Sequence, residues 1–344
     1  MNDKNKKTEI SELGEFGLIE RLTKNIQLKN ESTIKGVGDD AAVLDYENKQ
    51  VVFSTDMLTE GVHFNLMYAP LKHLGYKSVV VNLSDIFAMN AIPRQVTVNI
   101  GLSNKFSVEA VEELYSGIYL ACEKYNVDLV GGDTTSSLTG LIISVSVLGE
   151  AKQGDVVYRS GAKPNDLICV TGDLGAAYMG LHLLERENEV YKVNPNMQPR
   201  LEGYDYILER QLKPEARADI IAAFKRIGIK PTSMIDISDG LSSEVIHLCK
   251  NSKTGCYLHE DKIPLDAQTK KLAEEMNINP LVAALNGGED YELLFTLPLD
   301  VYEKIKNDPD FSIIGHMAEE KEGTNLTTTS GTSIELWAQG WNHQ

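Results

Sequence analysis

Short β-rich runs that end on acidic residues at glycine turns recur along this chain, and they restrict its fold more than any other feature. Gly36-Val37-Gly38-Asp39-Asp40 comes first, and Val51-Val52-Phe53-Ser54-Thr55-Asp56 then closes a strand-like run on three oxygen donors. Val127 to Val130 runs into Gly131-Gly132-Asp133-Thr134, Ser233 to Ile237 delivers Asp236-Ile237-Ser238-Asp239-Gly240, and Gly287-Gly288-Glu289-Asp290 precedes Tyr291 to Leu297. Glycine lets the backbone turn tightly and lets another group approach closely. Adjacent carboxylates such as Asp39 and Asp40 repel unless water or a cation screens them. Taken singly, each aspartate also fits a helix N-cap or a surface turn. Taken together with Asp85, they read as one site where several metal ions meet phosphates, and the short Asp side chain suits octahedral Mg²⁺.

Periodicity supplies the elements between these turns. After a polar lead over residues 1–13, apolar residues at helical spacing predict a short helix from Glu15 to Ile26. Leu74 to Asn90 reads as a helix that buries Tyr76, Val79, Val80, Leu83, Ile86 and Phe87. Asp85 falls on its other side, beside Asn82 and Met89, and Asn90 suits a left-handed C-terminal position with Pro93 beyond it. Gln95–Leu102, Val127–Val130 and Leu141–Leu148 read as strands, and Val108–Tyr125 as a long amphipathic helix. Strands alternating with helices give an α/β domain over residues 1–150. The Gly/Pro/Ser-rich stretch Arg159 to Asp166 has boundary composition, and a second domain follows over 151–344. In it, Leu167–Val170 and Ser233–Ile237 are expected strands, and Ala176–Glu185 and Leu241–Lys250 expected helices. Residues 186–200 read as an exposed loop, and Pro214–Ile227 as a helix with proline in its first turn. Strand alternation places Asp236 and Ser238 on one face.

Charge and motifs exclude whole classes. A net charge of −17 argues against nucleic acid and anionic membranes as partners. An acidic protein that binds phosphates must import positive charge, and metal ions are the direct source. Cys122, Cys169, Cys249 and Cys256 show no C-x-x-C spacing and read as reduced structural thiols. The N-terminus is polar, and no apolar run reaches the roughly 18 residues of a membrane span, so the expected location is the cytoplasm. No P-loop, G-x-S-x-G, H-E-x-x-H or kinase H-R-D motif is present. Gly36-x-Gly38-x-x-Ala41 only superficially fits a dinucleotide fingerprint, because no clear hydrophobic strand leads into it.

The same stretches resemble thiamine-monophosphate kinase, a family of the aminoimidazole-ribonucleotide-synthetase-like ATP-binding superfamily. The similarity is carried by Gly14-Glu15-Phe16, Gly38-Asp39-Asp40, Ser54-Thr55-Asp56 with Gly61-Val62-His63-Phe64, and Asn82-Leu83-Ser84-Asp85. It continues through Gly131-Gly132-Asp133-Thr134, Arg159-Ser160-Gly161-Ala162, Asp236 to Gly240, Gly287 to Glu292 and Gly340-Trp341-Asn342-His343. The resemblance implies an α/β chain of the α+β type, with two AIR-synthetase-like domains of mixed sheets and flanking helices. It implies a homodimer through the N-terminal sheets and Mg²⁺-dependent transfer of the ATP γ-phosphoryl group to thiamine monophosphate, giving thiamine diphosphate. By the same resemblance Asp39, Asp40, Ser54, Thr55, Asp56, Asp85, Asp133, Asp236 and Asp239 are metal ligands, with Asp39 the less secure of its pair. Tyr115, Gly132, Asp133, Arg159 and Ser238 fall at the nucleotide, and His63, Glu289 and Trp341 at the thiamine phosphate, where an indole could stack on a cationic ring. Two positions depart from the family pattern: Asn90 stands where glycine is usual, and the chain ends Asn342-His343-Gln344 rather than on a terminal phenylalanine.

Rival readings stay open on sequence alone. Selenophosphate synthetase needs a reactive Cys or selenocysteine near the N-terminus, and residues 1–35 hold no Cys. The cyclo-ligase branch fits the Gly287–Glu292 stretch less well. A metal-dependent phosphohydrolase would release phosphate, and a non-catalytic metal-binding protein would turn over no nucleotide.

Overall fold

The strand-like run that ends near Asp56 becomes β3 (Lys49–Thr59), around which the first sheet assembles. The computed structural model describes residues 33–35, 38–46, 48–103 and 105–338. The expected helix from Glu15 to Ile26, residues Gly36 and Val37, and the terminal Gly340-Trp341-Asn342-His343 stretch lie outside them. β3 pairs antiparallel along its whole length with β6 (Ile142–Lys152), from Lys49 opposite Lys152 to Thr59 opposite Ile142. β4 (Ile92–Leu102) flanks β6, and β5 (Asp128–Ser136) runs parallel to β4 as the last strand on that side among the described residues. On the other side of β3 lie β2 (Ala42–Tyr46) and β1 (Thr33–Lys35), so the order is β1-β2-β3-β6-β4-β5. Alternation turns Val52, Val98, Val145 and Val147 to one face, where they pack against α1 (Leu71–Ala88) and α2 (Val108–Tyr125).

The sequence explains where α2 starts and stops. The Ser107 side chain accepts the amide of Ala110, Glu109 and Lys124 complement the helix dipole, and Asn126 closes the helix in the left-handed region. α1 departs from the amphipathic expectation: nearly every residue from Leu74 to Ala88 is buried, Asn82 included, and Met89 with it. The sheet covers one side of α1, α2 another, and the second half of the chain a third. α1 and α2 cross through glycines, and a Cβ on Gly117 would stand 1.8 Å from the Lys72 carbonyl oxygen. Asn90 takes the expected left-handed backbone at φ 54°, and its amide donates to the Asp155 carbonyl.

The second half builds a mixed sheet in the order β13-β12-β9-β11-β7-β10-β8. Its strands are β7 (Leu167–Thr171), β8 (Ser233–Asp236), β9 (Thr254–His259), β10 (Leu293–Leu297), β11 (Phe311–Glu319), β12 (Thr324–Thr327) and β13 (Ser333–Glu335). All neighbours are antiparallel except β9 and β12. Around it lie α3 (Ala176–Val193), α4 (Asp205–Leu212), α5 (Ala218–Ile227), α6 (Leu241–Ser252), α7 (Ala267–Glu275), α8 (Pro280–Asn286) and the short α9 (Tyr302–Ile305). The two mixed sheets with flanking helices are the α/β architecture expected above. Glu215, in the connector between α4 and α5, joins the two halves by accepting hydrogen bonds from the hydroxyls of Tyr76 and Tyr125.

Several boundaries move for physical reasons. Residues 186–200 are not all loop, because α3 continues to Val193 and the buried Glu187 carboxylate accepts the Arg200 amide at 2.8 Å. Pro214 lies before α5 rather than in its first turn, since α4 already ends at Leu212. β10 starts at Leu293 rather than Tyr291, whose φ of 52° is incompatible with a strand. Asp236 and Ser238 do not share a strand face: β8 ends at Asp236, which is buried, while Ser238 lies beyond it and is exposed.

Candidate active site

Both halves contribute to a cleft of about 440 Å³. Its floor is α1, where Leu74, Lys77, Val81 and Asp85 recur at helical spacing on the face that lines the cavity. β3 brings Asp56 and β8 brings Asp236 to one end, and the loop carrying Ser238 and Asp239 closes it. The turn holding Glu289, the turns between β3 and α1 that bear His63, Phe64 and Tyr68, and α4 through Gln211 form the rest.

At the acidic end Asp40, Asp85 and Asp236 each present a carboxylate oxygen within 4.8 Å of the others. They come from the turn before β2, the last turns of α1 and the end of β8. Two serines fix their aim: Ser84 donates to Asp236 Oδ2 at 2.6 Å, and Ser54 donates to Asp85 Oδ2 at 2.5 Å. Ser54 and Asp56 share the inner face of β3. Thr55 turns the other way, and its hydroxyl donates to the Val145 carbonyl and pairs with Ser146 on the outer face.

The electrostatics are those of anions gathered out of water. Burial, and then the charges of Asp56, Asp236 and Asp40, hold the Asp85 carboxyl well above its usual range. Burial and the Asp40 charge do the same for Asp236. Protein packed around its carboxyl pushes Asp56 up to about 6 although the residue as a whole stays exposed to the cleft, and burial followed by the Asp40 charge takes Asp39 to about 6 as well. Arg159 is the cation set against them. Its Nε and Nη2 donate to the two oxygens of Asp40 at 3.0 and 2.5 Å, and its main-chain amide donates to Asp39 Oδ1 at 2.9 Å. Asp39 Oδ2 is buried with no hydrogen-bond partner among the described residues, although Lys35 Nζ lies 3.6 Å away. An all-oxygen donor set with raised proton affinity and an orphaned acceptor fits a hard divalent cation.

The expected residues therefore divide. Asp40, Ser54, Asp56, Asp85, Asp236, Ser238 and Asp239 gather at the acidic end with Arg159, and Asp39 adjoins them; His63 and Glu289 line the same cleft. Asp133 is exposed on β5 opposite Asn99, on the outer face with Thr55, and lines no part of this cleft; neither does its neighbour Gly132. Tyr115 lines a separate hollow of about 410 Å³ on α2 with Val108, Val111 and Tyr119. Trp341 lies outside the described residues. Sequence reasoning passed over Lys77 and Gln211. Lys77 had a signal, standing two helical turns before Asp85 on the same face, whereas Gln211 had none.

Beside Glu289 a second charged network is buried. Glu292 pairs with Arg210 at 2.6 Å and with Arg217, and the Thr171 hydroxyl donates to it. Burial pushes the neighbouring Asp290 carboxyl up to about 7, against the pull of Arg210, and its Oδ2 accepts the Gly175 amide at 2.9 Å. These pairs anchor the turn in which Glu289 is held at φ 57°.

Comparison with known proteins adds relatives to this geometry. Residues 38–151 match the sequence model of the AIR synthase related protein, N-terminal domain. The chain is 35% identical over 335 residues to the thiamine-monophosphate kinase of Aquifex aeolicus, covering 97% of this chain and 99% of that protein. It is 33% identical over 340 residues to the thiamine-monophosphate kinase of Bacillus subtilis, covering 96% and 99%. The solved structure of AaThiL complexed with AMPPCP and TMP superposes with a TM-score of 0.83 at 33% identity, covering 98% of this chain and 99% of that one.

Proposed function

The chain belongs to the thiamine-monophosphate kinase family, and from that premise we propose how its own residues carry out the reaction. The protein is a phosphotransferase that uses ATP to convert thiamine monophosphate to thiamine diphosphate. The observation that carries the mechanism is the convergence of Asp40, Asp85 and Asp236 at one end of a cleft that Glu289 also lines.

Asp40, Asp85 and Asp236, joined by Asp56, Asp239 and Ser54, are the residues that would hold Mg²⁺. Mg²⁺ held there would offset repulsion between the two phosphate groups and stabilise charge on the transferring group. Ser84 and Ser54 keep the carboxylates in register, and Arg159, paired with Asp40, belongs to the nucleotide-phosphate side in this proposal. The acceptor phosphate oxygen is ionised at neutral pH, so no side chain has to remove a proton. Transfer is direct and in line: the bond from the γ-phosphorus to the bridging oxygen of ATP breaks, a bond to the thiamine-phosphate oxygen forms, and ADP leaves with the electron pair. A labelled phosphoprotein trapped during turnover would contradict this.

Tyr115, Gly132 and Asp133 belong to the nucleotide side in this proposal, and Trp341 to the thiamine side with His63 and Glu289. The outer face of the first sheet supports a homodimer. The enzyme is cytoplasmic in this proposal, and the burial of Cys122, Cys169, Cys249 and Cys256, none of them in a disulfide, is compatible with that location. No helix among the described residues is long and apolar enough to cross a membrane.

Product analysis tests the whole. Pure protein mixed with Mg²⁺, ATP and thiamine monophosphate is expected to yield thiamine diphosphate and ADP one-to-one, and Asp56→Ala to abolish both. ADP without thiamine diphosphate would move the acceptor to a sister enzyme of the superfamily.

A further inference from the structure

Recognition in the cleft depends on a buried cation, two helical turns along α1 from Asp85, that the phosphoryl chemistry does not use. We infer that Lys77 is a positioning residue for substrate specificity: with Gln211 it aims the Glu289 carboxylate at the nitrogen-bearing ring of the acceptor. This rests on the functional reading above and says how the same site selects its substrate.

Three segments meet at this point. Lys77 is only 6% exposed, and its Nζ lies 2.9 Å from Glu289 Oε1. The same ammonium donates to the Gln211 main-chain carbonyl at 3.0 Å, and Gln211 Nε2 donates to Glu289 Oε2 at 2.9 Å. Each oxygen of Glu289 is therefore held by one donor, and each keeps acceptor capacity for a second. Behind the carboxylate, the Glu289 amide donates to the Ser238 carbonyl at 2.7 Å, which fixes the main chain from which the side chain projects. With both ends held, the carboxylate has one direction in which to offer its free lone pairs, and that is the cleft it lines.

Position along α1 separates this role from phosphate binding. Lys77 and Asp85 are eight residues apart on one helix face, about 12 Å along the axis at 1.5 Å per residue. Among the described residues lining the cleft, Lys77 is the one lysine or arginine, yet it stands two helical turns from Asp85. Val81 lies between them, and Phe64 and Leu181 offer apolar walls. The layout fits a molecule with a phosphate at one end and an amino-substituted heteroaromatic ring at the other. A ring that lacks a donor leaves the remaining lone pairs of Glu289 unmet on the cleft wall, which is how a polar site discriminates.

Steady-state kinetics and calorimetric binding of thiamine monophosphate to the intact protein test the inference. Lys77→Met is expected to raise KM and Kd for thiamine monophosphate about tenfold, with kcat and KM for ATP within about threefold of wild type. Lys77→Arg should recover part of that loss, and Gln211→Met should show a smaller loss of the same kind. Because Lys77 acts through Glu289, Lys77→Met combined with Glu289→Gln should bind no worse than Glu289→Gln alone. Additive losses, a fall in kcat at unchanged KM, or unaltered binding would each overturn the inference. Should Lys77→Met not fold, Gln211→Met and Lys77→Arg carry the test, and wild-type affinity in both overturns it. Wild-type protein that binds no thiamine monophosphate would instead overturn the functional reading, and this inference with it.

Discussion

At the scale of single residues the governing fact is that several carboxylates share a buried corner with one arginine. Asp39 and Asp56 are pushed up to about 6, from an ordinary value near 3.8. A carboxyl whose folded value exceeds its unfolded one binds protons more tightly in the folded chain. In the metal-free protein these two carboxyls contribute stability that is present below about pH 4 and lost as pH rises through about 6, while His247, pushed down to about 4 by burial, acts in the opposite direction over the same window. Denaturant unfolding of the metal-free wild type and of Asp56→Asn at a series of pH values isolates the carboxyl contribution; a stability difference between the two that does not change with pH across the window would contradict it. Added Mg²⁺ should raise the midpoint above pH 6, and its effect should fade below pH 6 as protons compete for the same oxygens. Asp85→Asn removes one of the crowded charges but keeps an acceptor for Ser54. It should stabilise the metal-free chain at pH 7.5 by roughly 1 kcal/mol, flatten its pH dependence, and lower kcat/KM at least about a hundredfold. Stability and activity moving in opposite directions distinguish a site residue from a core residue.

At the scale of elements, the helix that carries Asp85 and Lys77 depends on its neighbour. α1 and α2 approach so closely at Gly117 that a Cβ there would stand 1.8 Å from the Lys72 carbonyl oxygen and 2.8 Å from the Tyr76 amide nitrogen. Both are main-chain atoms that cannot swing aside, so Gly117→Ala must part the helices. The expected cost is about 2–3 kcal/mol in urea unfolding, together with a loss of kcat/KM because the floor of the cleft shifts. Unchanged stability would mean that the crossing is looser than described. Nothing in the sequence marked Gly117, since a glycine within a helical pattern looks the same whether it packs or merely weakens. The limits of α2 were legible because its caps are local: Ser107 and Asn126 satisfy main-chain groups within a few residues. The aspartates were legible because strand ends and glycine turns announce them. Gln211 was not, because its contacts to Glu289 and Lys77 join three distant segments and leave no local trace.

At the scale of the whole molecule, the first sheet has one face filled by α1 and α2 and another that neither covers. Alternation puts Phe53 and Leu148 on that outer face as a cross-strand pair, 37% and 39% exposed, with Ile92 at 47% nearby. A sheet can leave one face to water when that face is polar, and large apolar side chains set together on it make that face a candidate for contact with another protein. The homodimer proposed here through the N-terminal sheets fits that surface, and sedimentation should give twice the chain mass. Phe53→Glu with Leu148→Glu should dissociate the dimer while leaving the helical far-UV signal intact, because both side chains project away from the core. Asp133 shares the outer face, on β5, the last strand on that side among the described residues. If pairing of two chains is what brings Asp133 to the nucleotide, the dissociated variant will show a raised KM for ATP while its affinity for thiamine monophosphate, set by Glu289 and Lys77 within one chain, stays near wild type. Equal loss of both affinities would show instead that the variant disturbs the cleft itself, and a wild-type protein that sediments as a monomer would leave Asp133 with no nucleotide role and remove the dimer from the proposal.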